Sequence, residues 1–346
     1  MMSTLTAGRT LFITSIKANA PRYANYAIQT SRPAKHGFTA ASNSQPTRLF
    51  SKTNNQLARF GTRERAVPVN ATVDQVGTMH GIGMLSLGAA GAFGIGALCY
   101  YGLGMSNVEG ALERSVLWPQ YVKDRIHSTY AHLGVGFGIS AAAAYATFSS
   151  PSMMRVVASG SIPFAIGSIV ALIGSSILVQ SIPYEPGLGL KQLAWAGHCS
   201  MLGILLAPLT MFGGPAILRA ATYTAGIVGG LSAIAVCAPS ERFLVSSAPL
   251  SIGLGVLVAS SIGSMFLPPT TRIGLGLYGI TLYGGLILFS GLLVYDTQKT
   301  IKKAELHPAY SMAPYDPINN SLHIYMDIIN IFIRMLQIFG GGQRRK

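Results

Sequence analysis

Residues 273–307 read IGLGLYGITLYGGLILFSGLLVYDTQKTIKKAELH. From Ile273 to Tyr295 no charge interrupts the run, and that is longer than the about 20 residues a helix needs to cross the hydrocarbon core of a bilayer. The run closes on Asp296, which is followed by Thr297 and Gln298 instead of a burst of charge. The helix is therefore expected to continue through Lys299, Lys302 and Lys303, with Asp296 inside the bundle. The plainer alternative is a solvated helix end. A carboxylate at membrane depth is costly enough to be a functional candidate by default.

Seven further windows have the same character: His80 to Gly104, Thr129 to Phe148, Ile162 to Ile182, Leu193 to Phe212, Ile217 to Cys237, Ala248 to Leu267 and Leu322 to Phe339. Breaks such as IPYEPGLG, GGP and LPPTT separate them and are too short to hold a soluble domain, so neighbouring spans are expected to pack as antiparallel hairpins. Half of the 346 residues are hydrophobic and 10% are charged, against about a quarter charged in soluble domains. The pattern predicts an all-α polytopic membrane protein, a bundle of seven helices preceded by one extra N-terminal span. Small residues recur in the spans, with Gly134 and Gly138 as a GxxxG pair and LGAAGAFGIGA from Leu87, and these are expected at close helix contacts.

The net charge of +14 is concentrated at the N-terminus. Nine Lys or Arg and no Asp or Glu lie between Met1 and Arg63, among many Ser and Thr. This basic, acid-free composition, with Leu5, Leu11, Phe12 and Ile16 on a short helix, fits a mitochondrial transit peptide and lacks the long apolar core of a secretory signal. Residues 1–65 are expected to be a disordered leader cleaved near Arg59 to Arg65, with 66–128 holding the extra span and an interfacial loop, and 129–346 the seven-helix domain. Past Arg65 there are 15 basic and 10 acidic residues, so nucleic acid is not an expected partner. The lipid bilayer is. Basic residues are nearly balanced between alternate loops, which leaves orientation open.

Other motifs carry less. Cys99, Cys199 and Cys237 are widely spaced in apolar sequence and imply no disulfide framework. Without CxxC, HExxH or a Cys/His cluster, a metal site would have to use oxygen. Gly274, Gly276 and Gly279 satisfy GxGxxG, yet they open an apolar span instead of joining a strand to a helix, so the dinucleotide reading fails on context. The polar stretch Ser106 to Tyr130, with Trp118 and Tyr121 beside Lys123 and Arg125, reads as an interfacial anchor. No nucleophile, base and orienter are placed together, so the chain is not expected to be an enzyme and no cofactor is implied.

The last window contains a second acid. In NSLHIYMDIINIFIRMLQIFGGG the polar residues Asn320, His323, Asp327, Asn330, Arg334 and Gln337 recur every three or four positions, one stripe on a helix. The stripe is expected to face protein or water and to line a conduit, with His323, Asn330, Arg334 and Gln337 as lining residues. The alternative is an amphipathic helix lying flat on the surface. If Asp296 and Asp327 share a partly dry pocket, they hold one proton between them near neutrality. Losing that proton leaves two like charges, which a divalent cation relieves or helix separation relaxes. Two carboxylates with Asn330, hydroxyls, carbonyls and water would make a weak calcium site, since calcium takes about 6 to 8 oxygens.

YDTQ with KAE just beyond it, and HIYMDIINIFIRMLQI after it, resemble the C-terminal signature of the transmembrane BAX inhibitor motif family, and YAHLGVGFGISAAAAYA is similar to its first core span. The resemblance covers about Thr129 to Phe339, and with the leader and extra span it points to the family's mitochondrial member. It implies a seven-helix core with a central C-terminal helix, and calcium leak or calcium/proton exchange through an aspartate pair that maps to Asp296 and Asp327. It also implies the inner mitochondrial membrane, cristae organisation, an influence on apoptosis, and cytochrome c and inner-membrane proteins as partners. Bacterial relatives pair the aspartates with an intramembrane arginine, and Ile162 to Ile182 here has no basic residue. A cation transporter and a scaffold that binds membrane partners both remain open, distinguished by ion flux in a reconstituted system.

Overall fold

The computed structural model describes residues 69–102, 110–159, 161–238, 244, 247–267, 271–308, 311 and 314–342. The expected leader and its cleavage point lie outside them. Among the described residues there is no strand, and eight helices are long and apolar enough to cross a membrane.

Proline, glycine and polar caps set most of the helix ends. Helix α1 (Val69–Gly102) is followed by a short α2 (Ala111–Arg114) and a 3-10 turn, Ser115–Leu117. Pro119 precedes α3 (Gln120–Ser149), and Pro151 starts α4 (Pro151–Ala158) at the position where proline's missing N–H costs nothing. Pro163 opens α5 (Ile162–Ser181) in the same way. Helix α6 (Leu190–Leu206) tightens into a 3-10 segment, Ala207–Phe212, where Pro208 interrupts the α-helical ladder, and the chain turns at Gly213 with φ 91°. Only glycine takes that left-handed backbone without strain. Helix α7 (Gly214–Cys237) follows, then α8 (Ser247–Phe266).

The quoted run forms one helical rod in three pieces. Thr271 caps α9 (Arg272–Gly279) by accepting from the Gly274 N–H at 3.0 Å. Ile280–Gly284 is a π turn, and α10 (Gly285–Leu306) completes the rod. Asp316 then caps α11 (Pro317–Gly342), accepting from the Asn319 N–H at 3.0 Å, with Pro317 at the first helical position.

Helix α11 is the axis of the bundle. It packs against α3, α7 and α10, while α6 bridges α3 and α5, α8 lies on α9 and α10, and α1 rests on α7 and α9. Burial covers most of α11: Ile324, Tyr325, Met326, Ile331 and Leu336 are as enclosed as Asp327, Asn330 and Arg334, and even Ile328 and Phe332 are partly buried. A helix lying flat on a membrane surface would leave one side open, so that alternative is excluded. The periphery carries the oil instead, with Tyr145, Val170, Leu218 and Ile252 exposed, as expected where the surrounding solvent is lipid.

The close approaches fall at glycines other than those the small-residue motifs suggested. A Cβ on Gly134 or Gly138 would meet nothing within 4 Å. On Gly203 it would lie 2.9 Å from Ser140 Cα, and on Gly136 it would lie 3.3 Å from the Trp195 ring. Thus α3 meets α6 through Gly136, Ser140 and Gly203, one face round from the GxxxG pair. In α1, Gly88, Gly91, Gly94 and Gly96 likewise have nothing within 4 Å. Among its contacts with the bundle are Leu87, packed on the core, and Gly83, where an added Cβ would meet the Tyr283 ring of the π turn.

Candidate functional site

Both aspartates are buried. Asp296 is 2% exposed on α10 and Asp327 0% on α11, so neither is a solvated helix end. Two contacts fix how these antiparallel helices are registered. Lys303 Nζ donates to Asn320 Oδ1 at 2.9 Å, and the Arg334 guanidinium lies over the Phe289 ring at 4.4 Å from its centroid. Asp296 is seven residues before Lys303 and seven after Phe289, while Asp327 is seven after Asn320 and seven before Arg334. Seven residues are almost two full turns, about 10 Å along the axis. On both helices the aspartate therefore lies between the two measured contacts.

The stripe on α11 is distributed unevenly. His323, one turn before Asp327 on the same face, is 6% exposed, and Asn330 and Arg334 are 0% exposed. Gln337 is only half-buried. Asn330 is oriented by its own helix: Nδ2 donates to the Met326 carbonyl at 2.8 Å, and Oδ1 accepts from Arg334 Nη1 at 3.3 Å. Its oxygen is thus turned toward the arginine in this conformation. Arg334 Nη1 also donates to the Asn330 carbonyl. The guanidinium is seated against Gly285, where a Cβ would lie 2.9 Å from Arg334 Cζ. An intramembrane arginine is therefore present, on the last helix.

The surroundings of Asp296 are polar. Lys299 Nζ is 4.0 Å from Asp296 Oδ1, one turn along α10. Two residues on from the aspartate, Gln298 Nε2 donates to the Ala235 carbonyl of α7 at 3.2 Å. This bond ties α10 to α7 with Asp296 buried on the inward side.

A second charged cluster closes the end of the bundle nearest Lys303. Lys191, 1% exposed at its side chain, pairs with Asp316 at 2.6 Å and donates to the Ile182 carbonyl at 2.8 Å. Burial raises the pKa of Tyr184 there, and the negative charge of Asp316 adds to the effect. Burial likewise raises that of Tyr315, whose hydroxyl is 3.2 Å from Thr129 Oγ1. Arg125 Nη1 donates to the carbonyls of Ala304 and His307, and Nη2 to that of Pro308, closing the negative end of the α10 dipole. Trp118 Nε1 donates to Glu305 at 2.9 Å, with Arg114 3.7 Å from the same oxygen. The segment expected to be an interfacial anchor therefore also clamps the end of α10.

Sequence reasoning passed over Lys191, Asp316, Gly285 and Phe289. The Asp-Pro pair opening the last helix is a cap signal legible in the sequence. Gly285 and Phe289 carry no local signal, because their role exists only once Arg334 arrives from another helix. No group of three or more His, Cys, Asp or Glu able to hold a metal occurs among the described residues.

A family model described as inhibitor of apoptosis-promoting Bax1 matches residues 122–345. The chain belongs to the BAX inhibitor family. It is 51% identical over 288 residues to the growth hormone-inducible transmembrane protein of Rattus norvegicus, covering 83% of each chain. It is also 25% identical over 245 residues to human Bax inhibitor 1, 69% of this chain and 94% of that one. With the inner membrane protein YbhL of Escherichia coli it shares 23% over 215 residues, 61% and 88% of the two chains. No solved structure matches. The BAX inhibitor family match begins within the first turn of α3, so α1 and α2 lie outside it.

Proposed function

We propose that this multi-pass protein is a cation transporter of the inner mitochondrial membrane that exchanges calcium for protons, or leaks calcium in a pH-dependent way, through Asp296 and Asp327. The observation that carries the reading is the placement of two buried carboxylates on packed helices, each between the same two interhelical contacts. Two such groups in a low-dielectric core share one proton between them. A divalent cation replaces that proton with charge to spare, and its hard-ion chemistry suits oxygen ligands. Competition between proton and calcium for one site is the core of an exchange cycle. The acid-free leader supports the mitochondrial assignment, and a disturbed calcium balance would link the protein to apoptosis and cytochrome c release. The test is calcium entry into liposomes bearing the purified full-length chain under an imposed pH gradient. Flux no faster than in empty liposomes would end this reading.

A second reading, a scaffold that maintains cristae by binding membrane partners, draws on α1. Gly88, Gly91 and Gly96 are exposed on it, and a Cβ there would have nothing within 4 Å, while close helix contacts in bilayers favour small residues. Cross-linking from α1 in intact mitochondria separates the two: a partner captured with calcium flux absent favours the scaffold.

A further inference from the structure

The aspartate pair has a basic side chain on either side of it. Toward the capped end stands Lys303, held by Asn320 at 2.9 Å. The other way stands Arg334, over Phe289 and against Gly285. The α-carbon of each lies about 10 Å along its own helix from that of the aspartate it shares the helix with. The two differ in access. Lys303 is partly exposed beside the polar cluster of Asp316, Tyr184 and Tyr315, whereas Arg334 is wholly enclosed. We propose that Lys303 and Arg334 are the two gates of the path through the aspartate pair, and that the Arg334 gate is the one closed in this structure.

Charge and mechanics both support this. A divalent cation leaving the carboxylates in either direction must pass a fixed positive group, so each gate must move aside before the ion can go. Lysine swings on a flexible four-carbon stem, while arginine keeps its charge and its planar shape in any surroundings. Arg334 occupies the space that a side chain at Gly285 would fill. Gly285 is also the first residue after the π turn Ile280–Gly284. A π turn holds a surplus residue in the helix, and such turns recur at functional sites. Shifting that surplus by a turn rotates the Gly285 wall and releases the guanidinium without unfolding the rod. Tyr283 of the π turn rests on Gly83 of α1, so the extra N-terminal helix is placed to bias the gate.

This inference rests on the transport reading, and calcium flux in liposomes bearing the full-length chain tests it. Arg334→Met is expected to raise calcium flux on the order of tenfold, because a positive barrier to a divalent ion is lost from a site of low effective dielectric. An encapsulated anionic dye should stay inside. Gly285→Ala, which pushes the guanidinium off its seat but keeps its charge, should raise flux in the same direction, and combining it with Arg334→Met should add nothing. Arg334→Lys should fall between the wild type and Arg334→Met. Lys303→Met should speed calcium entry at low calcium without producing a leak, since the Arg334 gate remains. Flux in Arg334→Met or Gly285→Ala at or below the wild-type rate would overturn the gate. So would simultaneous loss of the dye, which would mean broken packing. If Arg334→Met does not fold, Gly285→Ala and Arg334→Lys still decide. Silence of the wild type and every variant alike would instead refute the transport reading, and the gates with it.

Discussion

Replacing Asp296 or Asp327 by asparagine keeps the side-chain size and one acceptor oxygen while removing the exchangeable proton. Either change is expected to abolish the pH dependence of calcium flux, and the double change to add little, because groups acting as a unit are not additive. A pH series in proteoliposomes checks it, and additive, independent losses would separate the two carboxylates. Lys299, Lys303, His323 and Arg334 surround the pair, so a residual profile after both changes would report them. Asn330 has a different part. Its oxygen is committed to Arg334 at 3.3 Å and its amide to Met326, so Asn330→Leu should destabilise the protein by about 1–3 kcal/mol, the cost of leaving a buried polar partner unmatched. Ile329→Leu should cost less than about 1.5 kcal/mol. The midpoint of denaturation in mixed micelles distinguishes them. The stripe itself was legible because its spacing is a local property of one segment. The packing of the Asp296 helix against the Asp327 helix was not, since nothing in either segment records its register with the other.

At the level of helices, the eight windows matched the eight spans because hydrocarbon thickness is read directly in residue count. Where the structure departs, the cause lies outside the apolar run. Helix α3 starts at Gln120, well before the window at Thr129, since Arg125 and Val122 pack on the protein instead of on lipid. The GxxxG spacing of Gly134 and Gly138 named the right helix and the wrong face, because spacing says that two glycines share a face without saying which neighbour lies there. Gly203→Ala should therefore cost about 1–3 kcal/mol by forcing α3 and α6 apart, while Gly138→Ala should be neutral or slightly favourable for helix propensity. Lys191→Met should destabilise by about 2 kcal/mol, less than the about 3–5 kcal/mol of a fully buried pair, because Asp316 keeps some solvent. Both are read from the same denaturation midpoints.

For the molecule as a whole, the leader makes a prediction independent of ion flux. The mitochondrial form should have a new N-terminus near Arg59 to Arg65, because an acid-free basic segment serves import; N-terminal sequencing that finds Met1 retained would remove the mitochondrial assignment. The arrangement of α11 has a further consequence, for biogenesis. The helix at the centre leaves the ribosome after the helices that enclose it. Asp327 and Arg334 near its middle each disfavour insertion of a lone segment by about 2.5–3.5 kcal/mol, so it is poorly suited to enter lipid unaided. It has to slide into a sleeve that α3, α7 and α10 have already formed. Until that moment the earlier helices enclose a vacancy, and a chain halted before Pro317 should be inserted yet open to proteases that the finished molecule resists. The arrival of α11 is in this sense the event that seals the bundle, and quality control has a late checkpoint to inspect.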